Sequence, residues 1–600
     1  MPGTSDRVSA MVDRVIRVLI DEPAIDKTFD YLLPGALAGA DGVRLGTMLR
    51  VPLHGRRVGA WVVGLNVEPA VPIDHLLSVT RVSSAGPPRE VLSLARWAAW
   101  RWWGRPATFL AIASPKRAIR IVGTGRPLDP SALPPPAVGP GFAEALREAL
   151  ALPAASCVRL APVSDPFPLL IEAARASGNR GLLVLAPQVA TAHDLARRFR
   201  RLGVPVAVIP DEWDRAAVPG TVVVGARTAA WAPMVDFGAA VVLDEHDEAY
   251  QDERAPTWHA REVVVERVRR VGAPCLLVSA VPSPHSLALA EGRVVADDRR
   301  GERTGWPVIA LLDRSTEEPG RVPIVAPGLT ATLRSGGRVV CLLNRSGRAK
   351  LLDCRSCGAL AECEQCGSAM QQRTEALELA CGRCERTAPV VCRSCGGGRL
   401  RHLRPGTARL RDDLEALAQR PVVEVVSGTP STTDADVLVG TEAVLHTAGR
   451  ADVVVALDID GELLAPRMRA ADAVVALVLR CARLVGPNGR VVLVTRQPEH
   501  PVLRALSLGD GAALSALLVE SLASLAYAPP TAVARVSGAG ATAVADALAA
   551  AILEGLVSRL GPAEGPFLVR AASPSALADV LADVERPPGR VRVEVDPVRW

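Results

Sequence analysis

The stretch VVLDEHDEAY, Val241–Tyr250, decides how this chain is read. A β-branched run ends in carboxylates and a histidine. That is how a parallel strand delivers an acidic cluster to the edge of an α/β sheet, where Mg²⁺ would sit beside a nucleotide. Such a strand predicts an upstream phosphate loop, G-x-x-x-x-G-K-[ST]. The chain has three lysines, Lys27, Lys116 and Lys350, and the residues before them are Asp26, Pro115 and Ala349, so no such loop is written in it. Its expected place reads RLAPVSDPFP (159–168), where three prolines remove amide donors and Asp165 adds negative charge. Leu243, Asp244, Glu245 and His246 then form a degenerate nucleotide site, and the plainer reading is a solvated strand end in a retained fold.

Outward from this motif the pattern alternates. FAEALREALAL, GLLVLA, TAHDLARRFRRLG, TVVVG, AAVVL and CLLVSA follow one another through 142–300, as crossover helices and parallel strands do. A second alternating block holds RVVCLL, PVVEVV, DVLVG, DVVVAL and RVVLVT. VVVGARTA (222–229) and VLVGTEAV (437–444) echo each other, which suggests two related lobes. Residues 1–115 contain short β-rich runs split by turns. Residues 116–141 include the proline-rich GTGRPLDPSALPPPAVGP and read as a stiff linker. The last hundred residues read as a small α+β domain.

Inside the second block, eight of the twelve cysteines form four C-x-x-C pairs: Cys354/Cys357, Cys363/Cys366, Cys381/Cys384 and Cys392/Cys395. That spacing lets two thiolates reach one ion from a tight turn, and two pairs complete a tetrahedral site with Zn–S bonds of ~2.3 Å. Two structural Zn²⁺ sites are expected, with iron–sulfur the lesser alternative. Spacing alone permits three groupings of the pairs. Glycine follows Cys357, Cys366 and Cys395, as knuckle turns with positive φ require. Cys157, Cys275, Cys341 and Cys481 lie in or near apolar runs and read as core residues.

The composition bounds the rest. With 600 residues, 49% apolar and 22% charged, the chain is globular and multidomain. A net charge of +5, almost all the cation being arginine, hints weakly at nucleic acid. No secretory signal is read at the start, and the most apolar helical stretch (541–560) carries Asp546, Glu554 and Arg559, which a bilayer span would avoid. A cytoplasmic, nucleoid-associated protein with no membrane partner is expected.

TFDYLLPG (28–35), RVPLHGRRVGAWVVG (50–64), VVVGARTAAWAP (222–233), SAVPSPHS (279–286) and above all CLLNRSGRAKLLDCRSCGALAECEQCG (341–367) resemble the primosomal protein N′ (PriA) replication-restart helicase family. The resemblance implies a multidomain α/β fold. A 3′-DNA-end-binding domain (1–115) would precede two RecA-like helicase lobes (142–300; 301–350 with 403–500). A two-zinc module (351–402) would interrupt the second lobe, and a C-terminal domain (501–600) would follow. The family's winged helix would be reduced or absent. The resemblance also groups the ligands: Cys354, Cys357, Cys392 and Cys395 for one zinc, Cys363, Cys366, Cys381 and Cys384 for the other. It gives Phe29, Asp30 and Gly46 to the 3′-end pocket, with Leu77 where the family has lysine. Arg56 and Arg57 become candidate phosphate contacts. Arg480 and Arg483 fall near the family's final arginine motif. The function implied is binding of abandoned forks and DNA 3′ ends, with primosome proteins, the helicase-loading machinery and single-stranded DNA-binding protein as partners. Because the phosphate loop, acidic motif and arginine motif all depart from the family's, ATP and Mg²⁺ are not expected and the chain is expected not to be an enzyme. The alternatives are an active ATP-dependent 3′-to-5′ helicase and a zinc-bearing scaffold that does not bind DNA.

Overall fold

The computed structural model describes residues 14–22, 25–37, 42–119, 125–135, 137–317, 325–343, 351–372, 378–402, 407–425, 435–562 and 565–597. Parts of the stretches quoted above (120–124 and 136, 344–350, 403–406, 563–564) lie outside the described residues.

Two all-parallel sheets form the body. In the first, seven strands lie in the order Val294–Ala296, Ala155–Arg159, Cys275–Ser279, Phe237–Leu243, Gly181–Leu185, Val222–Gly225, Val206–Ile209. The central strand, Phe237–Leu243, is buried along its whole length, as are its neighbours. Burial on both faces is why these strands read as unbroken Val/Leu/Ala runs rather than alternating ones. The second sheet has six parallel strands in the order Val308–Asp313, Arg490–Thr495, Val453–Ala456, Val339–Leu342, Val437–Gly440, Val422–Val425. The cysteine module leaves after Val339–Leu342; the chain re-enters the sheet at its edge strand, Val422–Val425, and the next strand, Val437–Gly440, lies between that edge and Val339–Leu342.

The N-terminal domain is a five-stranded antiparallel sheet in the order Thr28–Leu33, Arg14–Ile20, Arg56–Leu65, Met48–Leu53, Arg81–Ser84. Its tightest hairpin turns through His54 (φ 48°) and Gly55 (φ 75°), the two left-handed residues that a two-residue turn needs to match strand twist. Helices Arg89–Arg101 and Pro106–Ala113 fasten this sheet to the first lobe. The aromatics, scarce elsewhere, gather there: Phe109 lies 5.3 Å from Trp231, and Trp231 5.6 Å from Trp258. The proline-rich segment is no free spacer, because Leu128 and Leu133 are buried in the first lobe's core and Arg175 donates to the Leu133 and Pro134 carbonyls. A four-stranded antiparallel sheet, Val557–Leu560, Phe567–Ala571, Ala532–Ser537, Arg592–Val595, closes the chain. Buried Arg101 ties it down by donating to both Asp596 (2.5 Å) and Glu262. Among the described residues no helix is long and apolar enough to cross a membrane.

Candidate functional site

The acidic motif turns at Asp244, whose φ of 50° breaks the strand. Glu245 is fully buried. Its carboxylate accepts from Arg261 (2.7 Å), from the Ser283 backbone N–H (2.7 Å) and Oγ (2.9 Å), and from the Ser286 hydroxyl. Burial pushes this carboxyl up, but Arg261, His246 and the serine donors outweigh it and hold it below the ordinary range. A solvated strand end is therefore not what forms: Arg261 and the SAVPS segment enclose the glutamate. His246 Nδ1 lies 2.7 Å from Ser279 Oγ, and that hydroxyl donates to the Val281 carbonyl, so the imidazole is the donor to serine. Leu243 is buried in the core and its carbonyl accepts from Tyr250. Asp244 instead faces the other lobe and pairs with Arg483 on helix Ala470–Val485. Arg480, one turn earlier, pairs with Glu442 at 2.8 Å. A cavity of about 60 Å³ between the lobes is lined by residues including Arg261, His285, Arg469 and Asp472. There Arg469 donates to His285 Nε2 at 2.7 Å, and burial with the neighbouring arginines keeps His285 neutral.

In the 159–168 segment, Asp165 accepts from the Phe167 N–H (3.1 Å) at the start of helix Phe167–Ala176 and takes both Arg198 nitrogens at 2.7 and 2.6 Å. The guanidinium also stacks 4.0 Å from the Phe167 ring. A carboxylate of the chain itself thus occupies the first turn of that helix.

Among the described residues the cysteine module has a small apolar core, Leu352, Met370 and Leu379 besides its thiols, with Leu351 and Ala369 packed on Leu464 of the second lobe. Cys354, Cys357, Cys392 and Cys395 bring four Sγ atoms within 4.8 Å of one another, and so do Cys363, Cys366, Cys381 and Cys384. Nearest Sγ···Sγ distances are 3.4–3.6 Å. A ZnS₄ tetrahedron with ~2.3 Å bonds has an edge of about 3.8 Å, whereas a disulfide needs ~2.05 Å. The donor sets therefore fit a tetrahedral thiophilic ion. The four turns repeat one geometry: the residue after each pair donates back to the first cysteine's carbonyl, Gly358 to Cys354, Gly367 to Cys363, Glu385 to Cys381 and Gly396 to Cys392, at 2.8–3.0 Å. All four donors have positive φ, and the glycines supply it without strain at three of them. The fourth, Glu385 (φ 61°), was missed, although it stands where the other knuckles have glycine. Burial pushes the Cys354 thiol up, but the N–H groups of Cys357 and Ser356 bring it to about 6. Cys363 is lowered in the same way, against burial, by Cys366 and Gln365. The module rests on the second lobe through Leu464, whose carbonyl accepts from Ala369 N–H (2.8 Å) and Ser368 Oγ (3.1 Å), and through Arg383 on the Met468 carbonyl (3.0 Å).

In the N-terminal sheet, neighbouring residues on a strand face opposite ways. Phe29, level with Val18, faces the interior cluster, and Asp30 faces out against Arg17. Asp30 accepts from Arg17 at 2.7 and 3.0 Å and from the Ala70 N–H at 3.0 Å; these bonds outweigh its burial and lower its pKa. Gly46 (φ +88°) is buried, and a Cβ there would lie 1.7 Å from the Pro87 carbonyl oxygen, so close approach of backbone explains the glycine. Leu77, Arg56 and Arg57 are exposed.

Residues 17–115 match the family model of the PriA 3′ DNA-binding domain. The replication restart protein PriA of Bacillus subtilis (strain 168) is 27% identical over 372 residues, which cover 55% of this chain and 46% of that protein. That of Haemophilus influenzae is 26% identical, covering 56% and 51%. The chain thus spans about half the length of these relatives. The probable replication restart protein PriA of Mycobacterium tuberculosis (strain H37Rv) is 26% identical over 95% of this chain and 91% of its own. Among solved structures, RecG bound to a three-way DNA junction gives a TM-score of 0.34 at 12% identity, covering 63% of this chain and 46% of that one.

These relatives correct one expectation. Over 95% of its length the chain aligns with a probable replication restart protein PriA, so the reading that it is not an enzyme does not stand. Backbone amides and guanidinium groups hold phosphate as lysine does, so a missing lysine alone does not exclude nucleotide chemistry.

Proposed function

We propose that this chain, a relative of the PriA replication restart proteins, binds abandoned or stalled DNA forks and helps assemble the primosome and reload the replicative helicase. The match of residues 17–115 to a 3′ DNA-binding domain carries the reading. The N-terminal domain engages the DNA 3′ end, with Phe29, Asp30 and Gly46 shaping the domain and Arg56 and Arg57 open to phosphate. Each Cys₄ set holds one Zn²⁺, which is structural and presents the module to partners such as primosome proteins and single-stranded DNA-binding protein. The protein works in the cytoplasm, at the nucleoid.

Fluorescence anisotropy tests this with the zinc-loaded full chain and labelled forks. A fork with a free 3′-hydroxyl at the branch should bind several-fold tighter than one with a 3′-phosphate. Equal affinity for both, and for a blunt duplex, would remove the end-binding reading.

A further inference from the structure

The outer face of the N-terminal sheet is divided. At one end Leu19, Met48 and Trp61 lie under the helices Arg89–Arg101 and Pro106–Ala113 and join the large core. At the other end, among the described residues, the face bears Arg50, Arg57 and Arg81, all exposed. The register places Arg50 directly opposite Arg81 on one neighbouring strand and opposite Gly59 on the other, with Arg57 two residues along from Gly59 on the same face. Like charges directly opposite in a sheet are destabilising. None of the three arginines is in a salt bridge among the described residues; the carboxylate of the solvent-exposed Asp21 lies beside Gly59 on this face. Three exposed arginines on three adjacent strands, the strands themselves ~4.8 Å apart, form a cationic strip on this face.

From this arrangement we infer that Arg50, Arg57 and Arg81 form a track for the phosphodiester backbone of DNA, separate from end recognition. The inference rests on the DNA-binding reading above and joins to Arg57 two residues that the 3′-end resemblance does not name, Arg50 and Arg81. Arg56, next to Arg57, faces the other way and lies outside the track.

Anisotropy titrations of forked DNA from 50 to 300 mM NaCl test it, comparing the wild type with Arg50→Gln/Arg81→Gln and Arg50→Lys/Arg81→Lys. Unchanged melting and zinc content would show that both variants fold. Each lost phosphate contact removes ~0.7–0.9 from the slope of log K against log salt, so the Gln variant should lose roughly 1.4–1.8. The Lys variant should keep the wild-type slope, and both should keep the wild-type ratio of 3′-hydroxyl to 3′-phosphate binding. A Gln variant with the wild-type slope would overturn the track and leave the arginines as protection for a sheet edge. A wild type that binds no DNA at 50 mM would overturn the proposed function itself.

Discussion

Cysteine does opposite work in the lobes and in the module between them. Cys275, Cys341 and Cys481 are enclosed by apolar neighbours, and burial pushes each thiol to about 12, so they fill space and stay protonated. In the module, backbone N–H groups aim at the first cysteine of a pair, Cys354 and Cys363, and pull these two toward thiolate, while Cys357, Cys366, Cys384 and Cys395 beside them are shifted up. The residue type is the same; the local backbone decides whether it acts as a small hydrophobe or as a ligand. The lobes are held by buried strands, and the module by two clusters of sulfur.

The sharpest way to break that contrast is to remove metal. Chelation, or Cys363→Ser, should unfold residues 351–402 with a loss on the order of 10 kcal/mol, because such a module has little else to hold it. Hydrogen exchange should then show the module unprotected and Gly181–Leu185 unchanged. Next in size is Arg261→Ala, which strands the Glu245 carboxylate in the first lobe. It should cost about 3–5 kcal/mol in denaturant melts and leave metal content intact.

Titration sharpens the comparison within the lobes. Asp472, at the cavity between them, is raised by burial to about 6, against an ordinary value of 3.8. Its folded form holds the proton more tightly, so its contribution to stability falls as pH rises from about 4 to 6. Asp472→Asn should abolish that fall and be roughly 2 kcal/mol more stable than wild type at pH 7.5. Glu245 is shifted downward, so its contribution is present at neutral pH and is lost on acidification below the ordinary carboxylate range. The smallest effect is expected at Glu385→Gly, which relieves a left-handed non-glycine and should slow zinc loss to a competing chelator by a gain under about 1 kcal/mol.

What the sequence discloses is mostly local. Strands buried on both faces leave uninterrupted apolar runs, so both parallel sheets could be read, but not the strand order that seats Phe237–Leu243 at the centre. The C-x-x-C pairs were plain because each spans one turn; which pairs meet depends on the fold of the intervening chain. Asp30 looked available because its partner, Arg17, is brought alongside by strand register. Glu245 looked solvated because Arg261 and Ser283 enclose it from elsewhere in the chain. The Asp244–Arg483 pair spans 239 residues, beyond the reach of any local pattern.

One sulfur set lies inside the other along the chain. Cys366 and Cys381 are 15 residues apart, and Cys357 and Cys392 are 35. Closing the shorter span costs about 0.8 kcal/mol less chain entropy, and once closed it shortens the longer one. Assembly should therefore run outward, like a zip closed from the tip, with the second ion arriving at a preformed seat. Stopped-flow refolding with limiting zinc should show Cys363→Ser abolishing both uptake phases and Cys354→Ser only the slower; the reverse pattern would show closure beginning at the base.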